Sequence, residues 1–282
     1  MTPNLIVLSH VQAQPLLAAR ALGAETATIS LDLNRTQREV ALLPEGVRLP
    51  DSQLLTWDLV EIIAGDDSIC YQIEEGEAYR IQFFSEEQNR LYTLYPTLAA
   101  PTMLISGLPM HRIKDTDPYH DTREKIRAVR PGGRVLDTAM GMGYTAIQAA
   151  EAADYVLTIE LDALVEQVCR LNPWSQALFD NPKIERRFGD AFDVVETLED
   201  RQFNRVIHDP PMFSLSGHLY SQEFYEELYR VLTDRGRLFH YIGDLKSKSG
   251  AGVARGVRQR LAAAGFQRVA DQPRAFGVVA YK

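Results

Sequence analysis

From about residue 120 onward, short apolar runs alternate with segments whose apolar residues recur at helical spacing. This alternation is typical of a mostly parallel sheet covered by helices, which is the α/β class. It predicts strands at Arg134–Asp137, Tyr155–Glu160, Ile184–Phe188, Phe203–Asp209, Arg237–Ile242, Phe266–Ala270 and Gly277–Tyr281. It predicts helices at Asp121–Val129, Tyr144–Ala152, Asp162–Leu171, Ala191–Leu198, Glu223–Leu232 and Val253–Ala264.

Residues 1–110 follow a different pattern, in which β-branched, aromatic or alternating apolar runs are separated by turn-like pieces. The pattern predicts a small β-rich accessory domain, followed by a second domain over residues 111–282. One helix is expected over Val11–Leu22 and a shorter one from near Trp57. Strands are expected in the first residues up to Leu8 and at Ala27–Leu33, Arg38–Leu43, Ser68–Glu74, Ala78–Phe84 and Arg90–Tyr95.

Charge separates the same two parts of the chain. Residues 1–110 carry 6 Lys and Arg against 14 Asp and Glu, whereas the remaining residues carry 24 of each. The whole net charge of -8 therefore lies in the N-terminal part. An accessory domain that grips nucleic acid should be basic, because phosphate contacts dominate that binding. The acidic domain argues against such a role, although a solvated face that serves solubility is the simpler explanation.

Composition otherwise fits an ordinary globular chain of 282 residues, with 45% hydrophobic and 24% charged residues. No apolar run approaches the roughly 20 residues that span a bilayer, and the first residues lack the features of a signal peptide. Cys70 and Cys169 lie far apart, which fits a reducing cytoplasm. No Cys/His spacing resembles a zinc site. We therefore predict a cytoplasmic protein with no metal and no membrane partner.

The strongest chemical signal is a glycine-rich turn between the first strand and the next helix of the second domain. Gly141 and Gly143 let a ligand approach the backbone, since neither has a Cβ atom. Glu160 ends the next strand, 23 residues after Asp137. An acid there can accept hydrogen bonds from both hydroxyls of a ribose. The spacing therefore predicts a ligand that contains a nucleoside.

Residues 141–146 also fit the dinucleotide fingerprint G-x-G-x-x-G/A, so NAD is an alternative ligand. Asp137 favours a different one. Its carboxylate would face the diphosphate of NAD with like charge, whereas it suits the ammonium of a methionine moiety. We therefore predict S-adenosylmethionine, and a glycine turn that binds nothing is the remaining explanation.

Asp190 follows the third strand of the same domain. At this edge of the sheet an acid can accept a hydrogen bond from the amino group of adenine. It can also be the N-cap of the next helix. The two roles are compatible, and the sequence does not choose between them.

His208-Asp209-Pro210-Pro211 follows the fourth strand, on the side expected for the reacting group of the ligand. Two successive prolines fix the backbone and remove two amide donors. The turn is therefore expected to present the Asp209 carboxylate and free carbonyl groups. Such a surface suits an amine acceptor, whose N–H groups need hydrogen-bond acceptors while its lone pair attacks. A rigid turn without chemistry is the alternative.

His208 and His240 lie near the carboxyl ends of strands that should be neighbours, at the edge where open α/β sheets bind ligands. Either imidazole can take a proton from an acceptor, although a buried structural histidine is the simpler explanation. Tyr220 and Tyr225 are candidates for one wall of the acceptor pocket. Packing on a helix face explains Tyr225 equally well.

These positions together resemble the class I S-adenosylmethionine-dependent methyltransferases, over about Asp121–Lys282. Asp137, Gly141 and Gly143 are similar to the first motif of that family, in which Ala139 replaces the usual first glycine. The resemblance implies a Rossmann-like, seven-stranded methyltransferase sheet behind the small β-rich domain. It also implies that Glu160 binds the ribose.

The same resemblance implies that Asp190 lies beside the adenine. Asp209-Pro210-Pro211 is similar to the [Asp/Asn/Ser]-Pro-Pro-aromatic motif of amino-methyltransferases. Those enzymes place an aromatic residue directly after the second proline, where it stacks on a flipped base. Here Met212 takes that position and Phe213 comes one residue later. Either Phe213 substitutes, or the acceptor is not a planar base.

A narrower resemblance is to a little-characterised prokaryotic group described as spermidine-synthase-like or as predicted methyltransferases. It implies no substrate. Asn172-Pro173-Trp174-Ser175 lies away from the ligand edge and is expected to be structural. The residues that carry this resemblance are Ser106–Arg112, Asn172–Ser175, His208–Pro211, Tyr220 and Phe239–Tyr241.

We predict an enzyme that transfers a methyl group from S-adenosylmethionine to a nitrogen, with Asp209, Pro210, Pro211 and His208 at the reacting centre. Most of the rate would come from positioning and desolvation. The alternative is aminopropyl transfer to a polyamine from decarboxylated S-adenosylmethionine, since an acidic protein suits a polycationic acceptor. A donor-binding protein without catalysis is a third possibility. The acceptor can be a small molecule, a protein or RNA, and a homo-oligomer is left open.

Overall fold

The computed structural model describes residues 5–211 and 216–282, apart from the side chains of residues 51, 248 and 249. The contacts of the chain divide it into two compact units. One comprises Met1–Tyr119 with Leu164–Gln176, and the other comprises His120–Ala163 with Ala177–Lys282. The domain boundary predicted between residues 110 and 111 stays a prediction.

The described part of the first unit is built from short antiparallel strands in three sheets. Its strands are β1 (Ile6–Leu8), β2 (Thr26–Ile29), β3 (Arg38–Leu42), β4 (Gly46–Arg48), β5 (Leu54–Thr56), β6 (Tyr71–Glu74), β7 (Glu77–Arg80), β8 (Gln82–Ser85), β9 (Arg90–Tyr95), β10 (Thr102–Ile105) and β11 (Leu108–Pro109). The strand orders of the three sheets are β1-β6-β7, β2-β3-β4-β5 and β11-β10-β9-β8. The N-terminal part also contains the helices α1 (His10–Ala21) and α2 (Trp57–Ala64), with a short 3₁₀ helix at Pro50–Ser52.

Helix α1 begins where the sequence supplies a capping box. The Ser9 hydroxyl accepts a hydrogen bond from the Val11 amide at 3.2 Å, and the Ser9 amide donates to Gln12 Oε1 at 3.0 Å. The helix ends before Gly23, which has a φ of 70°. Leu8 and Leu16 are fully buried in the core of this unit. Both predicted helices of the N-terminal part are therefore confirmed.

The predicted strand over Ala78–Phe84 is two strands that belong to different sheets. Ile81 lies between them and is fully buried. Its amide donates to the Cys70 carbonyl at 3.0 Å, and its carbonyl accepts from the Leu94 amide at 3.0 Å. The chain therefore changes sheet at one residue without losing backbone hydrogen bonds, and a pattern of alternating residues does not show such a change.

Residues 164–176 group with the first unit, and Trp174 explains part of this. Its indole nitrogen donates to the Leu33 carbonyl at 2.8 Å, and its ring lies 5.3 Å from the ring of Tyr119. The Arg35 guanidinium donates to the Pro173 carbonyl. Asn172 caps the 3₁₀ helix Pro173–Ser175 through a bond from the Trp174 amide. This segment is structural, as expected.

The second unit holds a seven-stranded sheet, which confirms the predicted α/β fold with its small β-rich partner. Its strands are β12 (Arg134–Asp137), β13 (Tyr155–Glu160), β14 (Ile184–Phe188), β15 (Phe203–His208), β16 (Leu232–Tyr241), β17 (Arg268–Gln272) and β18 (Gly277–Tyr281). Their order in the sheet is β14-β13-β12-β15-β16-β18-β17. The first five strands in this order are parallel, and β18 runs antiparallel to β16 and β17.

The helices of the second unit are α3 (Pro118–Val129), α4 (Tyr144–Ala150), α6 (Ala177–Asp180), α7 (Ala191–Glu196), α8 (Gln222–Val231) and α9 (Lys248–Ala263), with 3₁₀ helices at Gly217–Tyr220 and Pro273–Ala275. Helix α5 (Ala163–Arg170) falls, apart from Ala163, in the segment that groups with the first unit.

The register of this sheet aligns its apolar side chains into one core. Leu136 lies opposite Val206, which lies opposite Leu238, and all three are fully buried. Phe224 and Leu228 of α8 belong to the same buried cluster. Burial of such residues contributes roughly 1.5–3 kcal/mol each before the entropy cost of ordering them. The core therefore fixes the strand ends on which the candidate site is built.

Among the described residues, no helix has both the length and the apolar composition that crossing a bilayer requires. The predicted cytoplasmic location stays a prediction.

Gly143 occupies a position that only glycine fits without strain. It precedes α4 with a φ of 74°, and an added Cβ would lie 2.8 Å from Leu178 Cδ2. We expect Gly143→Ala to lower the free energy of unfolding by about 2 kcal/mol, because it combines a left-handed backbone with crowding. Urea unfolding measures this loss. Gly132→Ala is the matched control, since its Cβ would meet no atom within 4 Å, and equal losses in both variants would contradict the explanation.

Candidate active site

The predicted site residues meet at one edge of the seven-stranded sheet, where the parallel strands end. Asp137 pairs in register with Thr158 on one side and with Ile207 on the other. His208 pairs with His240, so the two histidine strands are neighbours, as predicted. Because parallel strands place their carboxyl ends at a common edge, residues far apart in sequence become neighbours here.

The glycine turn is held by Glu160 and by the flanking strands. Glu160 Oε2 accepts a bond from the Gly141 amide at 3.0 Å, and Oε1 accepts one from the Asp162 amide at 3.1 Å. The Met140 amide donates to the Ile159 carbonyl at 2.7 Å. Half-buried Ala139 lies in this turn. Burial raises the pKa of Glu160, and the backbone donors oppose that rise. Glu160 thus shapes the turn, and its contact with a ribose stays a prediction.

Asp137 is fully buried at the mouth of β12. Its Oδ2 accepts bonds from the hydroxyls of Thr145 and Thr158, both at 2.9 Å. Its Oδ1 is buried and has no hydrogen-bond partner among the described residues. Burial raises the pKa of Asp137 to about 7, although the Thr145 and Thr158 hydroxyls and the Ala139 amide oppose that rise. An ammonium group fits this orphaned oxygen, since it would supply both the missing hydrogen bond and the missing charge.

Asp190 is the N-cap of α7, since its Oδ1 accepts a bond from the Phe192 amide at 2.8 Å. Its Oδ2 lies 2.9 Å from His218 Nε2. A groove of about 450 Å³ opens beside it, between the end of β14 and α7. The capping role is therefore present, and the predicted contact with adenine stays a prediction. The groove is lined by Arg187, Phe188, Gly189, Asp190, Asp193, Val194 and Thr197.

Asp209 is held by a buried lysine that the sequence analysis did not single out. Lys125 Nζ lies 2.5 Å from Asp209 Oδ2 and 3.2 Å from Asp121 Oδ2. The Lys125 and Asp121 side chains are almost fully buried, whereas that of Asp209 is 18% exposed. Burial raises the pKa of Asp209, and the Lys125 charge opposes that rise. The Asp209 charge also raises the pKa of Asp137, which places both carboxylates in one electrostatic environment.

The Pro211 carbonyl, which the two prolines suggested would be free, is hydrogen-bonded within the protein. The Pro211 carbonyl accepts a bond from the Ser216 hydroxyl at 2.9 Å and one from the Tyr220 hydroxyl at 3.2 Å. The expectation of free carbonyls is therefore wrong at Pro211, because hydroxyls downstream in the chain satisfy it. Pro210 is buried beside it. Met212 and Phe213 lie outside the described residues. Whether Phe213 substitutes for the aromatic residue of the motif, or the acceptor is not a planar base, therefore stays a prediction.

His208 is fully buried and both of its ring nitrogens are engaged. Nε2 lies 2.9 Å from the Leu219 carbonyl, which only accepts, so Nε2 carries the hydrogen. Nδ1 lies 2.7 Å from the Thr138 hydroxyl and accepts from it. Burial lowers the pKa of His208 to about 3, so the ring is neutral at physiological pH. This arrangement favours a positioning role for His208 over the predicted proton transfer.

His240 lies against His208, with the ring centroids 4.4 Å apart. Its Nε2 bonds the Tyr225 hydroxyl at 2.8 Å, and burial lowers its pKa well below the usual range. Tyr225 is fully buried in the core. His240 and Tyr225 are therefore both buried inside the second unit, which agrees with the simpler explanation that each is a structural residue.

The sequence carried a weak signal for the missed pair. Asp121 and Lys125 stand four residues apart on a predicted helix, a common spacing for exposed ion pairs. Nothing in that spacing indicates that the pair is buried beside Asp209. His218 was missed for the same reason, since only the folded chain brings it to Asp190.

A full-length relative identifies the family. The chain is 42% identical over 266 residues to the uncharacterized protein MJ1233 of Methanocaldococcus jannaschii, covering 92% of this chain and 90% of that protein. The chain belongs to the family of that archaeal protein. No protein-family model matches the chain.

More distant relatives carry a named activity. A polyamine aminopropyltransferase of Alkaliphilus metalliredigens is 28% identical over 141 residues, which cover 48% of this chain and 50% of that enzyme. The match thus spans about half the length of that relative. A related enzyme of Clostridium perfringens is 27% identical over 139 residues.

Solved structures agree on the fold. A spermidine synthase in complex with the transition-state analogue AdoDATO matches with a TM-score of 0.57 and 17% identity, covering 71% of each chain. The spermidine synthase of Thermotoga maritima matches with a TM-score of 0.55 and 16% identity, covering 71% of this chain and 70% of that one. The fold is therefore spermidine-synthase-like.

The raised pKa of Asp137 makes a prediction about stability. An unfolded Asp titrates near pH 4, whereas folded Asp137 titrates near 7. The folded state binds the extra proton, so the contribution of Asp137 to stability is fully present below about pH 4 and is lost as the pH rises through about 7. Asp137→Asn mimics the protonated form and removes this loss. We expect its free energy of unfolding, relative to the parent protein, to rise across this window by up to about 1.4 kcal/mol per pH unit.

Urea unfolding at several pH values measures the difference. The control is Asp154→Asn, which removes an exposed carboxyl group of the same unit. A difference between Asp137→Asn and the parent that does not change with pH would show that Asp137 is ionised normally in the folded state.

Proposed function

We propose that the chain transfers an aminopropyl group from decarboxylated S-adenosylmethionine to an amine nitrogen, as polyamine aminopropyltransferases do. The observation that carries this proposal is the charge of the buried edge. Two carboxyl groups, those of Asp121 and Asp209, share the ammonium group of Lys125, and the charge of Asp209 also acts on the buried carboxyl group of Asp137. Such an edge favours a donor and an acceptor that are both cations.

The ion pairs of Lys125 bear on which donor the site would bind. S-adenosylmethionine carries a carboxylate that needs a cationic partner, whereas the decarboxylated donor carries none. Lys125 lies at this edge and is already paired with Asp209 and Asp121. The orphaned Asp137 Oδ1 suits the terminal ammonium that the decarboxylated donor retains.

The proposed reaction is a direct displacement. The lone pair of the acceptor nitrogen attacks the methylene carbon beside the sulfonium, the new C–N bond forms and the C–S bond breaks. The sulfur leaves as a neutral thioether, and the nitrogen then loses a proton to a carboxylate or to water. Asp209 would accept hydrogen bonds from the acceptor amine and so keep the lone pair of the nitrogen aligned with the C–S bond that breaks. Pro210 and Pro211 would keep the Asp209 backbone rigid.

The named relatives support aminopropyl transfer over the methyl transfer that the sequence first suggested. Several sequence relatives are polyamine aminopropyltransferases, and structures of spermidine synthase share the fold. Methyl transfer to nitrogen is a second candidate, because Asp209-Pro210-Pro211 retains the first three residues of the amino-methyltransferase motif. Both reactions need a nucleophilic amine beside Asp209, and they differ in the donor.

Ligand protection separates the two donors. We expect decarboxylated S-adenosylmethionine to raise the melting temperature, since a ligand at 100 times its Kd stabilises the folded state by about 2.7 kcal/mol. Protection should strengthen as the pH rises through about 7, where Asp137 loses its proton, and should be weaker in Asp137→Asn. Protection by S-adenosylmethionine alone would favour methyl transfer instead.

Turnover tests the role of Asp209. With the decarboxylated donor and a polyamine acceptor, Asp209→Asn should reduce kcat/KM by roughly 100-fold or more, because the amide no longer accepts the amine protons as a carboxylate does. Asp200→Asn, at an exposed side chain of the same unit, should leave kcat/KM within about twofold. An Asp209→Asn variant as active as the parent would remove Asp209 from the mechanism.

A further inference from the structure

We propose that Lys125 is a positioning residue, which keeps the Asp209 carboxylate ionised and turns one of its oxygens toward the acceptor amine. The proposal rests on the proposed function, since it assigns Asp209 to the acceptor. It concerns a residue outside every motif that the sequence suggested. Lys125 lies on α3, which precedes the first strand of the sheet.

The geometry divides the two oxygens of Asp209 between two tasks. Oδ2 is bonded to Lys125 Nζ at 2.5 Å. No hydrogen bond from a described residue to Oδ1 accompanies this pair, and the Asp209 side chain as a whole is 18% exposed, which leaves the carboxylate accessible to a ligand. A carboxylate held through one oxygen cannot rotate freely. Lys125 therefore determines which oxygen the acceptor meets.

Stability alone does not account for a lysine here. Its side chain is 3% exposed and its ammonium lies 4.6 Å from the centre of the Tyr241 ring. Burying a charge costs several kcal/mol that a pair often fails to recover, and a well-packed apolar residue is commonly as stable. Lys125 is fully effective as a cation, however, because the charges of Asp209 and Asp121 raise its pKa. The arrangement is therefore best explained by what the cation does to Asp209.

Groups from four elements face this carboxylate, and their effects differ in sign. Lys125 lowers the pKa of Asp209, whereas burial and the charge of Asp121 raise it. Asp137 at the end of β12 and Tyr220 in the 3₁₀ helix Gly217–Tyr220 also interact with the Asp209 charge. Tyr241 at the end of β16 contacts Lys125 through its ring. Removal of Lys125 and removal of the Asp121 charge should thus shift Asp209 in opposite directions.

The experiment is a carboxyl ¹³C NMR titration of the full chain labelled at its aspartates, with the Asp209 signal identified by its loss in Asp209→Asn. We expect Lys125→Met to raise the Asp209 midpoint by roughly 1–3 pH units, because an opposite charge at this distance lowers a carboxyl pKa by that amount. Asp121→Asn should lower the midpoint, and Lys125→Arg should keep it near the parent value. Arg127→Met, at an exposed ion pair of the same helix, is the control and should leave it unchanged.

Turnover links the shift to the reaction. The acidic limb of the kcat/KM profile should move with the Asp209 midpoint in each variant, upward in Lys125→Met and downward in Asp121→Asn, and Lys125→Arg should restore it. Unchanged midpoints in Lys125→Met and Asp121→Asn, or a profile that ignores the shifts, would overturn the proposal. If Lys125→Met does not fold, Asp121→Asn and Lys125→Arg still decide it.

The two proposals fail separately. A parent protein that turns over neither donor would defeat the proposed function, while the NMR midpoints would still report whether Lys125 controls Asp209. Opposite shifts with an active parent would support both. An active parent with no shift would leave the function intact and remove the assignment of Lys125.

Discussion

The candidate site depends on the need to pair charges that the fold removes from water. Asp137, Asp209 and Asp121 end up buried or nearly so, and Lys125 neutralises only part of their charge. Asp137 responds by holding its proton up to about pH 7. A cationic ligand would relieve the remaining cost, because it supplies charge where hydroxyl groups supply only hydrogen bonds. The proposal that the donor and the acceptor are both cations rests on this excess of buried carboxyl groups over ammonium groups.

The sheet makes the imbalance possible by holding the strand ends in fixed register. Asp137 and Asp209 follow neighbouring strands, and Leu136, Val206 and Leu238 behind them pack into one core. Beside Asp209, both ring nitrogens of His208 are satisfied internally, by the Thr138 hydroxyl and by the Leu219 carbonyl. These bonds leave His208 no free nitrogen for a ligand, whereas Asp137 Oδ1 has no hydrogen-bond partner among the described residues.

Membership in the family of the Methanocaldococcus jannaschii protein defines this chain by descent and leaves its reaction to be argued from the site. The spermidine-synthase-like fold supports many chemistries, since function resides in side chains placed on a scaffold. Lys125 illustrates this, because it lies outside the sheet on α3 and, in our proposal, sets how Asp209 meets a ligand. The two candidate reactions, aminopropyl and methyl transfer, would use the same edge and would differ in the charges of their donors.

The sequence by itself determined the α/β class, the β-rich first part and most strands of the large sheet, because apolar periodicity and glycine turns are local properties of the chain. It also placed Asp137, Glu160, Asp190 and Asp209 at strand ends. Only the tertiary structure decided how these groups are paired. The four-residue spacing of Asp121 and Lys125 is the same in an exposed ion pair and in a buried one. The hydroxyls that donate to the Pro211 carbonyl belong to Ser216 and Tyr220, which lie further along the chain. Burial, and pairing between residues that are distant in sequence, are properties of the packed chain, so no local sequence pattern could predict them.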